Sequence, residues 1–182
     1  AGGALLTRQA ARVDPYALTY GLLQRLQRRG CGVYDRTVLE ALQPGPRGVT
    51  ARTAAGAVIK ARHVVLAMGY ATQHWLKPRV ARNRSSYAFI TDPIDAQVLG
   101  PLQQTMVWES ARPYLYLRAT DEGRLLVGGL DDAIDVPARR DRRVQGKARQ
   151  LMKQLLHWFP QLQPTPAFSW AGTFAETADG LP

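Results

Sequence analysis

Three kinds of residue in this sequence are suited to chemistry. The first is an apolar run ending on small residues, "VVLAMG", at Val64 to Gly69. The second is a pair of tyrosines two positions apart, Tyr114 and Tyr116, and the third is a set of carboxylates, Asp92, Asp131, Asp132 and Glu176. A strand ending in Ala67, Met68 and Gly69 lets a ligand come close to the backbone, because glycine has no side chain to hold it off and tolerates positive φ. In α/β sheets, ligands sit beyond the carboxyl ends of the strands. Gly69 also suits a plain turn. Tyr114 and Tyr116 share a strand face, since strand side chains repeat every two residues; that face is a pocket wall or ordinary packing in an antiparallel sheet. The carboxylates can draw an ammonium group by charge, although each also suits a solvated or capping role. No general base stands out.

His63, His74 and His157 lie in different segments, without metal-ligand spacing. Cys31 is the only cysteine, which excludes an internal disulfide and any cysteine-cluster metal site. No metal is expected, and Cys31 is expected as a small buried or half-buried side chain.

The elements that must position these residues are marked by caps and periodicity. Asp14-Pro15 opens a helix through "YALTYGLLQRLQRRG", with Leu18, Leu22 and Leu26 as its apolar stripe and Gly30 as its stop. Cys31 to Val38 reads as a short strand. Alternation on either side of Ala54-Ala55-Gly56 predicts an antiparallel pair leading into a buried strand at Val64 to Ala67. Tyr70 to Ser86 is polar and basic and suits a crossing between lobes. Further strands are expected at Tyr87–Thr91, Thr105–Glu109, Tyr114–Ala119 and Arg124–Gly129, the last two joined as a hairpin by Asp121-Glu122-Gly123. Val144, Ala148, Leu151, Leu155 and Phe159 mark a second helix ended by Pro160, and a strand "AFSWAGTFAE" follows, with a turn at Asp179-Gly180. Gly128-Gly129 either lets backbone pass close to a ligand or relieves crowding in the sheet.

The chain has 182 residues, 46% hydrophobic and 21% charged, an ordinary globular composition that excludes disordered and coiled-coil classes. No apolar run approaches ~20 residues, so no membrane-spanning segment is expected. The start, "AGGALLTRQA", has no secretory pattern, and a cytoplasmic location is expected. The formal charge of +10 invites a nucleic-acid reading. Its basic residues, however, lack aromatic interleaving and any nucleic-acid signature, so a solvated or partner-facing surface is expected and nucleic acid is not.

Four stretches, "ARVDPYALTYGLLQRLQRRGCGVYDRTVLEAL", "ARHVVLAMGY", "RPYLYLRATDEGRLLVGGLDD" and "FSWAGTFAETADGLP", resemble in order and spacing the central part of the FAD-dependent D-amino-acid oxidase and glycine oxidase (DAO) superfamily. The resemblance implies an α/β (α+β) fold. Part of a Rossmann-like FAD-binding domain (residues 1–80) would be followed by a substrate-binding antiparallel sheet with a helix (81–166), and a strand returning to the FAD domain (167–182). It implies FAD as cofactor, with Val38 and the segment Ala67, Met68, Gly69 beside it. It also places Tyr114 where these enzymes hold the substrate carboxylate, with Tyr116 beside it. The G-x-G-x-x-G of the family and its glycine-rich C-terminal segment are missing here, so the resemblance implies a central fragment, inactive on its own.

One departure bears on substrate. Amino-acid oxidases of this family read W/Y-x-G-L-R-P where this chain has Trp170, Ala171, Gly172, Thr173, Phe174 and Ala175. That arginine clamps the substrate carboxylate through its planar fork. Phe174 cannot donate to a carboxylate, and a buried unpaired carboxylate costs several kcal/mol. The pattern is closer to γ-glutamylputrescine oxidase-like members. The resemblance then implies oxidation of an amine C–N bond to an imine that water hydrolyses, with the substrate not a standard α-amino acid. Two other readings stay open: a flavin dehydrogenase passing electrons to a partner or quinone, and a cofactor-less basic module for nucleic acid or an acidic partner.

Overall fold

The computed structural model describes residues 3–111, 113–134 and 136–179. The chain divides into two compact units, Ala1–Leu66 and Ala67–Pro182.

In the first unit, helix α1 (Pro15–Arg28) starts where its cap residues place it: the Asp14 carboxylate accepts the Tyr16 and Ala17 amides at 2.9 and 3.0 Å. It ends in a Schellman motif. Gly30 takes φ +81°, its amide bonds Gln27 O, and the Cys31 amide bonds Leu26 O. Because the cap is a single side chain on a helix with no buried residue, Asp14→Ala is expected to cost about 1 kcal/mol of helix stability. Circular dichroism melting of the two proteins checks this, and identical helix signals would contradict it.

Strands β1 (Leu39–Gly45), β2 (Gly48–Thr53) and β3 (Val58–Ala61) form one antiparallel sheet in that order, with β2 and β3 joined through Gly56 at φ +83°. Two expected strands are absent. Cys31 to Val38 is irregular, with Arg36 at φ +47°, and Val64 to Ala67 is also irregular, with Val65 86% exposed. A strand exists through its ladder to a neighbour, and among the described residues neither segment has one; an apolar run alone does not supply it. Cys31 is exposed rather than buried.

The second unit is built on a five-stranded antiparallel sheet, ordered β5 (Val107–Trp108), β6 (Leu115–Ala119), β7 (Leu125–Asp132), β4 (Ala81–Thr91) and β8 (Pro166–Thr177). The expected β6–β7 hairpin forms on Asp121-Glu122-Gly123, with Gly123 at φ +74°. β4 begins at Ala81, earlier than expected, because all but its bulged end pairs residue for residue with β8. The preceding segment, expected as a crossing, is partly a 3-10 turn at Gly69–Trp75 that packs on β4 and β8. Short helices α2 (Ala96–Leu99) and α3 (Pro137–Asp141) precede α4 (Val144–Trp158). Leu151 and Leu155 of α4 are fully buried against Tyr87, Phe89, Leu115, Leu117, Leu125 and Val127 on one face of the sheet. The turn expected at Asp179-Gly180 reaches Gly180, which lies outside the described residues.

The pleat therefore gives the sheet a helix-covered face and an open face. A β-bulge in β7 interrupts the alternation: Ser85 pairs Asp132 and Tyr87 pairs Gly129, so Leu130 and Asp131 stand together opposite Ser86. Gly129 (φ +138°) and Leu130 (φ +55°) carry the distortion. After it, Leu130 and Asp132 face the helices and Asp131 faces the open side.

Candidate functional site

The open face has a row of directly opposed residues running across all five strands: Trp108, Tyr116, Gly128, Ala88 and Trp170. Its centre is small and its ends are aromatic. A Cβ on Gly128 would run into the Tyr116 ring, so that glycine exists to let the ring lie flat over β7. A Cβ on Gly129 would meet the Tyr114 carbonyl oxygen. Of the two sequence readings of this glycine pair, relief of crowding is the one the contacts support. Tyr114 and Tyr116 project from the same strand face with ring centroids 6.1 Å apart. Beside them a groove of about 480 Å³ is lined by Trp108, Glu109, Ser110, Ala111 and Tyr114.

The structure sorts the four carboxylates. Asp92 pairs with Arg124 at 3.5 Å, and Glu176 pairs with Arg84. Asp132, on the helix face, takes Tyr87 Oη and Arg143 Nη1 at 3.0 Å each, with Lys147 Nζ at 3.5 Å. Asp131 differs. Among the described residues its Oδ1 is buried with no hydrogen-bond partner, whereas the Ser86 hydroxyl, opposite the bulge, lies against the Tyr116 phenol. The phenol of Tyr116 is pushed above its ordinary pKa by burial, which outweighs the opposing hydrogen bond with Ser86, and the Asp131 charge adds to the shift. Ser86 was not legible as a site residue; the only signal was "GGLDD", a glycine pair that marks a bulge and so changes which aspartate faces out.

Thr173 and Phe174 fall on opposite faces. The Thr173 hydroxyl meets Arg140 Nη1 at 2.9 Å on the helix side, whereas Phe174, half-buried, pairs across from Arg84. The guanidinium nearest in register to position 174 is thus already bound to Glu176.

Ala67, Met68 and Gly69 are exposed, and the Met68 amide bonds Thr72 Oγ1 at 3.3 Å. Gly69 has φ +55° and nothing within 4 Å of where a Cβ would stand. That open backbone fits the close approach of a dinucleotide. Val38 belongs to the other unit; it is 64% exposed and its carbonyl accepts the Ala54 amide at 2.9 Å. Among the described residues, no cluster of three or more His, Cys, Asp or Glu is placed to hold a metal. No helix among them is long and apolar enough to cross a membrane.

The fold is shared with solved flavoproteins. Glycerol-3-phosphate dehydrogenase from Bacillus halodurans, solved with FAD, is 20% identical with a TM-score of 0.66, over 90% of this chain and 36% of its own. A flavoprotein/dehydrogenase from Cytophaga hutchinsonii is 13% identical with a TM-score of 0.61, over 90% and 43%. Klebsiella pneumoniae HpxO, solved with FAD and uric acid, is 16% identical with a TM-score of 0.56, over 91% and 43%. The chain thus spans less than half the length of each. No curated protein matches the sequence significantly. The family model for DAO, FAD dependent oxidoreductase, matches residues 1–182. With that match over its whole length and an α+β fold of flavoprotein type, the chain belongs to the DAO family of FAD-dependent oxidoreductases, whose cofactor is FAD.

Proposed function

We propose that this protein oxidises the C–N bond of an amine that carries no α-carboxylate. One observation carries the reading: Phe174, which the resemblance puts at the place of the carboxylate-clamping arginine, lies on the open sheet face across from Arg84, and Arg84 is neutralised by Glu176. A carboxylate brought there would be desolvated without a donor, at a cost of several kcal/mol. FAD, when bound, supplies the redox chemistry by taking a hydride equivalent from the carbon next to nitrogen. The chain's own residues orient the substrate and exclude water. In this reading Tyr114, Tyr116 and Phe174 line the substrate side, while Ala67, Met68 and Gly69 of the same unit present backbone to the cofactor.

The test is anaerobic flavin bleaching in the whole FAD-loaded protein, with primary and secondary amines, α-amino acids and polyol phosphates as substrates. Amines are expected to bleach the flavin; bleaching by α-amino acids or polyols in their place overturns the reading. Phe174→Arg is expected to lower the KM for amines bearing a carboxylate about tenfold, the effect of one charge-assisted bidentate pair at a partly exposed site.

A further inference from the structure

We propose that Asp131 is a cation anchor that selects substrates with a second, non-reacting ammonium group, so that the preferred substrate is a diamine. The inference rests on the amine reading above. Asp131 is the one carboxylate of the four whose Oδ1 lacks a partner among the described residues. It faces the open side only because of the bulge at Gly129 and Leu130. Its inner oxygen is buried without a partner among the described residues, while the residue as a whole reaches the surface. A carboxylate desolvated in this way lacks a counter-charge, and a cation at its exposed side supplies one.

The aromatic row across the same face, Trp108 and Tyr116 on one side and Trp170 on the other, adds rings that attract a cation through their faces. Chemistry then decides which nitrogen is held. Loss of a hydride from the α-carbon needs the lone pair of the reacting nitrogen, and a carboxylate contact keeps a nitrogen protonated. The nitrogen at Asp131 is therefore the spectator, and the reacting nitrogen is a second one on the same molecule.

The experiment compares diaminobutane with butylamine in the whole FAD-loaded protein, as wild type, Asp131→Asn and Asp131→Glu. Wild type is expected to favour the diamine. Asp131→Asn is expected to raise its KM roughly 30-fold with kcat little changed and butylamine unaffected, while Asp131→Glu retains most of the preference. Binding of hexamethonium, a dication that cannot be oxidised, is followed by calorimetry in the same proteins. Binding by wild type and Asp131→Glu but not by Asp131→Asn supports the anchor even if neither amine is turned over, an outcome that sinks the amine reading alone. Equal KM values for the two amines in wild type, or hexamethonium binding unchanged in Asp131→Asn, overturns the anchor.

Discussion

Gly129→Ala is expected to destabilise the second unit by about 3–5 kcal/mol, read as a lower urea midpoint with an unchanged denaturant slope. Two penalties coincide at this residue. Its φ of +138° is a region that L side chains rarely adopt, and the added methyl would run into the Tyr114 carbonyl oxygen. That oxygen is held in place, because it accepts the Leu130 amide at 3.3 Å just beyond the end of the ladder that joins β6 to β7. Gly128→Ala is milder: the atoms nearest its methyl belong to the side chain of Tyr116, which can shift more readily than backbone. A loss below 1 kcal/mol for Gly129→Ala would show that the bulge adapts and that its glycine is incidental.

Asp132→Ala is expected to cost about 3 kcal/mol at neutral pH, because it removes a half-buried carboxylate that holds several donors at once. The carboxylate holds Tyr87 Oη and Arg143 Nη1 at 3.0 Å, Lys147 Nζ at 3.5 Å and the Ile134 amide at 3.2 Å. Lys147 would keep only its bond to Leu130 O at 2.6 Å and its place 4.9 Å from the Tyr87 ring centroid. The same cluster sets the pH response. Burial alone would raise the Asp132 pKa, but the Ile134 amide, the Tyr87 hydroxyl, Lys147 and Arg143 outweigh it and hold the carboxyl below its ordinary value of 3.8. A carboxyl depressed in the folded state stabilises above its ordinary pKa, and that part is lost as pH falls through the folded value.

Tyr87 moves the other way. Burial first, then the hydrogen bond to Asp132, raises it from 10.0 to about 12. Its contribution is intact below pH 10.0 and fades as pH climbs toward about 12. Denaturation across both ranges should show wild type losing stability at each end and Asp132→Ala losing less at both. Parallel curves for the two proteins would refute the assignment.

Much of this architecture was legible because local signals and long-range packing agree. Asp14-Pro15 and Gly30 bound α1 where the caps say, and Leu151 and Leu155 fall at the buried stripe of α4. Asp121-Glu122-Gly123 turns the β6–β7 hairpin, and the shared face of Tyr114 and Tyr116 follows from the pleat. Cys31 to Val38 and Val64 to Ala67 were misread because a strand requires a neighbour, which no property of its own residues reveals. Which aspartate faces out was not legible for a different reason. Strict alternation from Leu125 and Val127 turns Asp131 toward the helices and Asp132 outward; one bulge reverses both, and nothing in period-two counting reports it.

Because Asp131 and Asp132 are consecutive, one peptide group joins a carboxylate on the open side to a carboxylate gripped by Lys147 of α4 and by Arg143, the residue before its first turn. The helix thus works as a brake on the open side of the sheet. Displacing α4 would drag the Asp131 backbone with it, and loosening that grip would let the outward carboxylate drift.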